Sequence, residues 1–581
     1  MKTAYSVLFL FNIIIVSCNN IDKAKFNFTN FEEQLLDAYW KQYPSKSIGI
    51  GYGKYYENLT IPDENSIQAD IDFSNNWLDS LKKIDYNSLN QDEKISYNII
   101  QNQLNSDIWY LKVFKSYEWD ASQYNISADC DYIINQPYAP LDVRLKDLSQ
   151  HISNSDLYYK SALKIIKNPT KEHLEMAIQQ NKAGVNVLGK DLQDSIKTST
   201  LNDDEKNTLI SNIEKTIVAM NSFADSLNLI LNNPKTHFRD FKIGKKLFEE
   251  KFKFDIVADI SPDQIYERAL SDKKFYHKKM FEITDTLWAK YYPTQKKPSD
   301  TMQLIQGVMD SIQNQHASIN SFFDSLTNHV HRLKKFIIEK NLFDFDTVNP
   351  PVIVRLMPEY ARGFAIASAE FTPPYQKNGA TFYNIDDLTQ YPKDKALSSL
   401  KEYNNFTSQL LSIHEAIPGH CLQGIYNNKK SKDMVRAVFQ NGTMIEGWAV
   451  YTETMMVENG WGDGSPEMQL ALCKLKLREL GNVLVDYQIH CLGKSESDIL
   501  NLLTKECFQT QAQATEKYHR ATISQVQLCS YYTGAIAILE LRDKYKNLKG
   551  KDFKLKDFHE QFLSYGSSPI KYIEEMMLQE K

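Results

Sequence analysis

Long, regular helical segments constrain this chain more than any other feature. The run NDDEKNTLISNIEKTIVAMNSFADSLNLIL (202–231) carries apolar residues at helical spacing over its whole length. SPDQIYERALSDKKFYHKKMFEITDTLW (261–288) opens with Ser261 placed as an N-cap and Pro262 at the first helical position, then continues for many turns. Phe31 to Trp40 and SYNIIQNQLNSDIWYLK (96–112) repeat the pattern. Such segments bury their stripes against one another, so the predicted fold is mainly α, a large multi-helix protein with a deep cleft. Only PPVIVRLMP (350–358) and GATFYNI (379–385) read as extended. They predict a small β-sheet beside the helix that carries His414, and that helix is expected to start after the turn at Tyr391-Pro392. An N-terminal helical region (28–240) is expected to wall a second helical region (241–581). With 42% hydrophobic and 24% charged residues, a sizeable core is affordable.

The N-terminus, MKTAYSVLFLFNIIIVSC, has a short basic start at Lys2 and an apolar stretch from Ala4 to Val16. It is too short to span a membrane and reads as an export signal over 1–17. Aliphatic, small, then Cys18 resembles the bacterial lipobox, which implies cleavage before Cys18, lipid on its sulfur, and a polar tether over 18–27. The chain is then expected to be an exported bacterial lipoprotein held at a membrane through Cys18. The other six cysteines have no C-x-x-C spacing and read mainly as buried small apolar residues. A net charge of −6 on 581 residues gives no case for nucleic-acid binding.

Chemistry concentrates in SIHEAIPGHCLQ (412–423). It resembles the zinc-protease motif H-E-x-x-H, except that His414 and His420 are six residues apart instead of four. On a straight helix, six residues end about 120° off the starting face and about 9 Å along the axis, too far for two imidazoles to share one ion. The intervening residues remove the objection. Pro418 lacks an N–H and its ring collides with the carbonyl four residues back, and Gly419 accepts backbone angles closed to other residues. A break between Ile417 and His420 is therefore predicted. Glu415, next to the first histidine, is placed to take a proton from an attacking water. Taken alone, the stretch also reads as a helix ending at Pro-Gly with two surface histidines.

A third ligand favours the metal reading. NGTMIEGWAVYTETMM (441–456) places Glu446 on an apolar helical stripe, where an acid is costly unless paired or bound to metal. A glutamate from the following helix is how thermolysin-like zinc peptidases complete their site. Glu453, one heptad on and on the same face, is a candidate to orient a histidine, or else a solvated acid.

HEAIPGHCLQ followed by EGWAVYTE resembles the bacterial domain-of-unknown-function 885 family, whose pattern is H-E-A-x-P-G-H-x-x-Q and then E-G-W-A-x-Y. YWKQYPSKSIGIGYG, FKIGKKLFEEKF, RLMPEYARGFAIASAEFTPP and YHRATISQVQLCSYYTGAIAILELR extend the likeness over nearly the whole mature chain. The resemblance implies a zinc metallopeptidase, often a lipoprotein. Carried over by position, it adds Arg520, Gln527, Tyr531 and Gly534. Two departures stand out: Ala521 replaces a tyrosine, and Gln525-Val526 replaces a Pro-Gly turn.

Together these readings give one Zn2+ per chain on His414, His420 and Glu446, with Glu415 as general base in a zincin-like peptidase acting on short peptides. Tyr531 is the first candidate to stabilise the oxyanion, ahead of Tyr532 and His519. Arg520 and Gln527 are expected at the substrate, where Arg520 holds a carboxylate or else pairs with a structural acid. Tyr383 and Asn384 are expected to line the cleft if GATFYN offers an exposed strand edge. His329 and His331 are expected in solvent. The alternatives are a non-catalytic tethered binding lipoprotein of the same fold and a metal-dependent cell-wall amidase.

Overall fold

The structure, a computed structural model, describes residues 27–344, 352–358, 362, 365–376, 379–430 and 433–579. The export signal and Cys18 lie outside the described residues. The long periodic runs form helices where the sequence places them: α1 spans Asp203–Asn232 and α2 spans Pro262–Tyr291. Both start on a reciprocal cap. Asn202 accepts from the Glu205 N–H and Glu205 reaches back to the Asn202 N–H; Ser261 and Gln264 do the same.

Three apolar cores hold the molecule together. One joins Leu35, Leu81 and Ile100 from the first hundred residues to Leu410, Trp448 and Phe558. A second packs Phe248 and Leu304 against Leu477, Leu484 and Leu528. The third, built on Ile133, Leu148, Leu174 and Phe223, draws its buried residues from 48–227.

Among the described residues the sheet has three strands, β1 (Val352–Leu356), β2 (Ala367–Glu370) and β3 (Thr381–Ile385), in the order β1-β3-β2. β3 pairs parallel with β1 and antiparallel with β2. β2, with the sequence ASAE, is not among the two predicted strands. Its alanines, serine and glutamate have weak strand preference, and pairing with β3 alone makes it extended.

The helices that build the site follow the sheet: α3 (Lys393–Glu402), α4 (Thr407–Glu415), α5 (His420–Lys430), α6 (Gly442–Glu458), α7 (Pro466–His490), α8 (Gln511–Ile523) and α9 (Ser530–Lys549). The helix that follows Pro392 is α3, not the helix of His414. The chain turns again at 403–406, where Asn404 accepts from the Phe406 and Thr407 backbone N–H groups, and α4 starts only at Thr407.

His329 corrects a second expectation. Leu326 lies three residues before it and Leu333 four after it, so it shares their buried face, and burial pushes its imidazole down to about 4. His331, on the other face, is exposed. The six described cysteines are free, five buried and Cys491 half-buried. Among the described residues no helix is long and apolar enough to cross a membrane.

Candidate metal centre and cavity

α4 ends at Glu415 and α5 begins at His420, so the helix is broken where Pro418 and Gly419 require it. Gly419 is irreplaceable on steric grounds: a Cβ there would lie 1.8 Å from the His414 carbonyl oxygen and 2.4 Å from that of Ile413. Folding back across the break brings the two imidazole centroids to 4.8 Å.

The E-G-W of α6 meets this break with three consecutive residues, each doing a different task. Glu446 Oε2 lies 3.9 Å from His414 Nε2 and 3.5 Å from His420 Nε2. Trp448 Nε1 donates to the Pro418 carbonyl at 2.9 Å, pinning the break to α6. Gly447 faces Gly534 of α9 so closely that a Cβ on it would fall 2.4 Å from the Gly534 backbone. That close crossing brings Tyr531 beside Glu446, near enough to help lower its carboxyl. Gly447 and Trp448 were legible only as motif letters; no periodicity marks their contacts.

The donor set fits a zinc-type ion. Bonds of about 2.0–2.1 Å in a tetrahedron place ligand atoms about 3.3–3.4 Å apart; one atom from each of His414, His420 and Glu446 lies within 4.8 Å of the others. His414 gives its Nδ1 to Glu453 Oε1 at 2.8 Å, which leaves Nε2 directed at the common point. His420 Nδ1 is buried with no hydrogen-bond partner among the described residues.

Charge at this point is strongly negative. Burial opposes protonation of His414, yet Glu453, Glu415 and Glu446 outweigh it and raise its imidazole to about 9. Burial likewise opposes ionisation of Glu446, but His420, His414 and Tyr531 hold its carboxyl below the ordinary value. Burial keeps Glu415 above its ordinary value, against the pull of His420 and His414. Behind Glu453 stands Lys476, which donates to Glu453 at 3.3 Å, to Glu479 at 3.1 Å and to the Val450 carbonyl at 3.0 Å. Sequence reasoning missed Lys476 and Glu479, since a lysine in the middle of a long helix gives no sign that it is buried.

These groups open on a cavity of about 770 Å³. His414, Glu415, His420, Glu446, Glu453, Arg520 and Tyr531 all line it. Three of the anticipated positions do not. Tyr383 is fully buried, its hydroxyl 3.2 Å from Ser412 Oγ, and Asn384 is taken by Arg355 and Glu370. β3 is the central strand, paired on both sides, so it has no free edge; the strand on the cavity is β2, through Ala367 to Ala369. Gln527 sits behind the wall and accepts from Arg520 at 2.8 Å. Of the reserve oxyanion donors, Tyr532 is committed to Asp272 at 2.5 Å, and neither it nor His519 lines the cavity.

The departure at Gln525-Val526 leaves the turn intact. Val526 adopts φ +71°, a region open to glycine and strained for a β-branched residue. Buried Asp486 reaches the same turn by accepting from Cys529 Sγ at 3.7 Å.

A family model described as "Bacterial protein of unknown function (DUF885)" matches residues 44–577. A solved "putative lipoprotein of unknown function" from Shewanella oneidensis is 40% identical, with a TM-score of 0.86 over 95% of this chain and all of that one. A "putative lipoprotein" from Colwellia psychrerythraea shares the fold at 15% identity, with a TM-score of 0.77 over 95% of this chain and 98% of that one. No curated protein sequence matches the chain.

Proposed function

This chain belongs to the bacterial DUF885 family, and we propose that it is a zinc-dependent peptidase of zincin-like build, acting on short peptides. The observation that carries the reading is the convergence of His414, His420 and Glu446 on one point of a closed-in cavity whose wall also holds Glu415. A structural zinc site needs four protein ligands and no neighbouring base; three ligands beside a buried carboxylate are the pattern of a hydrolytic site.

Zinc bound there supplies Lewis acidity, polarising a carbonyl and acidifying a water. The chain's own residues do the rest. Glu415 accepts the proton of the attacking water and returns it to the leaving amine. Tyr531, beside Glu446, donates to the oxyanion that develops at the scissile carbonyl. Glu453 fixes the His414 ring, and Lys476 fixes Glu453. A cavity of about 770 Å³ admits a few residues of extended peptide and excludes folded protein.

The leader sequence and the two lipoprotein relatives support an exported protein anchored through Cys18. Metal analysis of the purified protein tests the core of the proposal, with about one zinc per chain expected. Metal-free protein that still hydrolyses a mixed peptide library, or zinc-loaded protein that hydrolyses none of it, would refute the reading.

A further inference from the structure

One wall of the cavity carries three cationic side chains, two of which make no ion pair among the described residues. Arg478 of α7 and Lys517 and Arg520 of α8 all line it. Arg520 donates to Tyr531 Oη at 3.1 Å and to Gln527, both neutral acceptors, and among the described residues no carboxylate lies within 4 Å of it. Lys517 likewise has no ion pair among the described residues; it donates to the Arg478 carbonyl at 3.1 Å and to Asn482. The one acid within reach of the group, Glu402, is 3.9 Å from Arg478 and is already held by Lys474 at 2.6 Å. Of the other acids on this wall, Glu479 is occupied by Lys476 and Glu453, and Glu516 makes no ion pair among the described residues.

We infer that Arg478, Lys517 and Arg520 form a receptor for the free C-terminal carboxylate of a peptide, so that the enzyme removes one or two residues from the C-terminal end of its substrate. The inference rests on the peptidase reading and narrows its substrate class. Position supplies the register. Arg520 donates to Tyr531 Oη at 3.1 Å, and Tyr531 is near enough to Glu446 to lower its carboxyl, which sets Arg520 on the order of 6 Å from the metal ligands. An extended peptide advances about 3.3–3.6 Å per residue, so a carboxylate at Arg520 leaves one or two residues between it and a carbonyl at the metal. The guanidinium presents the planar fork that grips a carboxylate with two bonds. On the opposite side, β2 meets Glu415 and offers a strand edge to the N-terminal part of the peptide. Burial, with Arg478 and Arg520 beside it, pushes the Lys517 ammonium well below its usual range, a penalty that an arriving anion relieves.

The test compares a peptide acid with its C-terminal amide on the zinc-loaded full-length protein. The acid is expected to be cleaved with kcat/KM at least about 30-fold higher, as the loss of a charge-assisted bidentate contact requires. Arg520→Gln and Lys517→Met should each shrink that ratio. Equal cleavage of acid and amide by the wild type overturns the receptor while leaving the peptidase reading intact. Should neither peptide be cleaved, catalysis fails as a reading, and calorimetry on Glu415→Gln protein decides the receptor separately: tighter binding of the acid supports it, and equal or absent binding of both overturns it.

Discussion

Two histidine–carboxylate pairs, one within α7 and one between α4 and α6, behave in opposite ways. His490 Nε2 is 3.6 Å from Asp486, both side chains fully buried, with one carboxylate for one imidazole. Burial drives His490 down to about 4 and Asp486 up to about 7, so both are pushed towards neutrality. His490 donates to the Ala521 carbonyl, and Asp486 accepts from Cys529 at the end of the strained turn that starts at Val526. At His414, three carboxylates converge on two imidazoles beside a cavity, and the same desolvation is overridden, leaving His414 raised to about 9. A buried pair that can neutralise itself is a brace. A surplus of carboxylates facing histidines across open space calls for a cation. The brace also serves the site, because the turn it holds leads directly into Tyr531.

The contrast can be broken at either end. The largest effect is expected from Glu415→Gln, which should lower kcat by about 10²–10⁴-fold while metal analysis still finds zinc, as loss of a general base does. Asp486→Leu should do the reverse: urea unfolding should show a loss of about 1–3 kcal/mol, because the buried Cys529 donor and the strained turn it belongs to lose their acceptor, and zinc content should be unchanged. Glu453→Gln should weaken zinc binding by about 10–100-fold, measured by chelator competition, since it loosens the His414 ring without removing a ligand. The smallest effect concerns pH. The folded Asp486 carboxyl sits near 7, above its ordinary 3.8. Its neutral form therefore contributes stability that is full below about 4 and is lost as pH rises through about 7. Melting temperature should fall across that window, and Asp486→Asn should flatten the slope.

Much of the site was legible before the fold. The excess spacing of His414 and His420 together with Pro418-Gly419 required a helix break, and Glu446 with Glu453 at one heptad required a shared face. What failed was reading exposure. Tyr383 and Asn384 look like cleft residues on a short polar-ended strand, but a strand's edge is free only if nothing pairs with it, and β2 does so from a sequence with no strand signal. His329 looks like one of two surface histidines until its neighbours Leu326 and Leu333 are seen to lie on the buried face. Lys476 and Glu479 pass as a solvated i,i+3 pair, because only the packing of α6 over α7 buries them.

By itself, then, the sequence determined the helical periodicity, the caps, the break at Pro418-Gly419 and the identities of the donor atoms. All of these depend on sterics and bonding within a few residues. The tertiary structure decided which residues face the cavity and which charges go uncompensated. The Gly447–Gly534 crossing, the Trp448 bond to Pro418 and the approach of Tyr531 to Glu446 join segments far apart along the polypeptide. Their energies arise from close packing and desolvation, which no local pattern encodes.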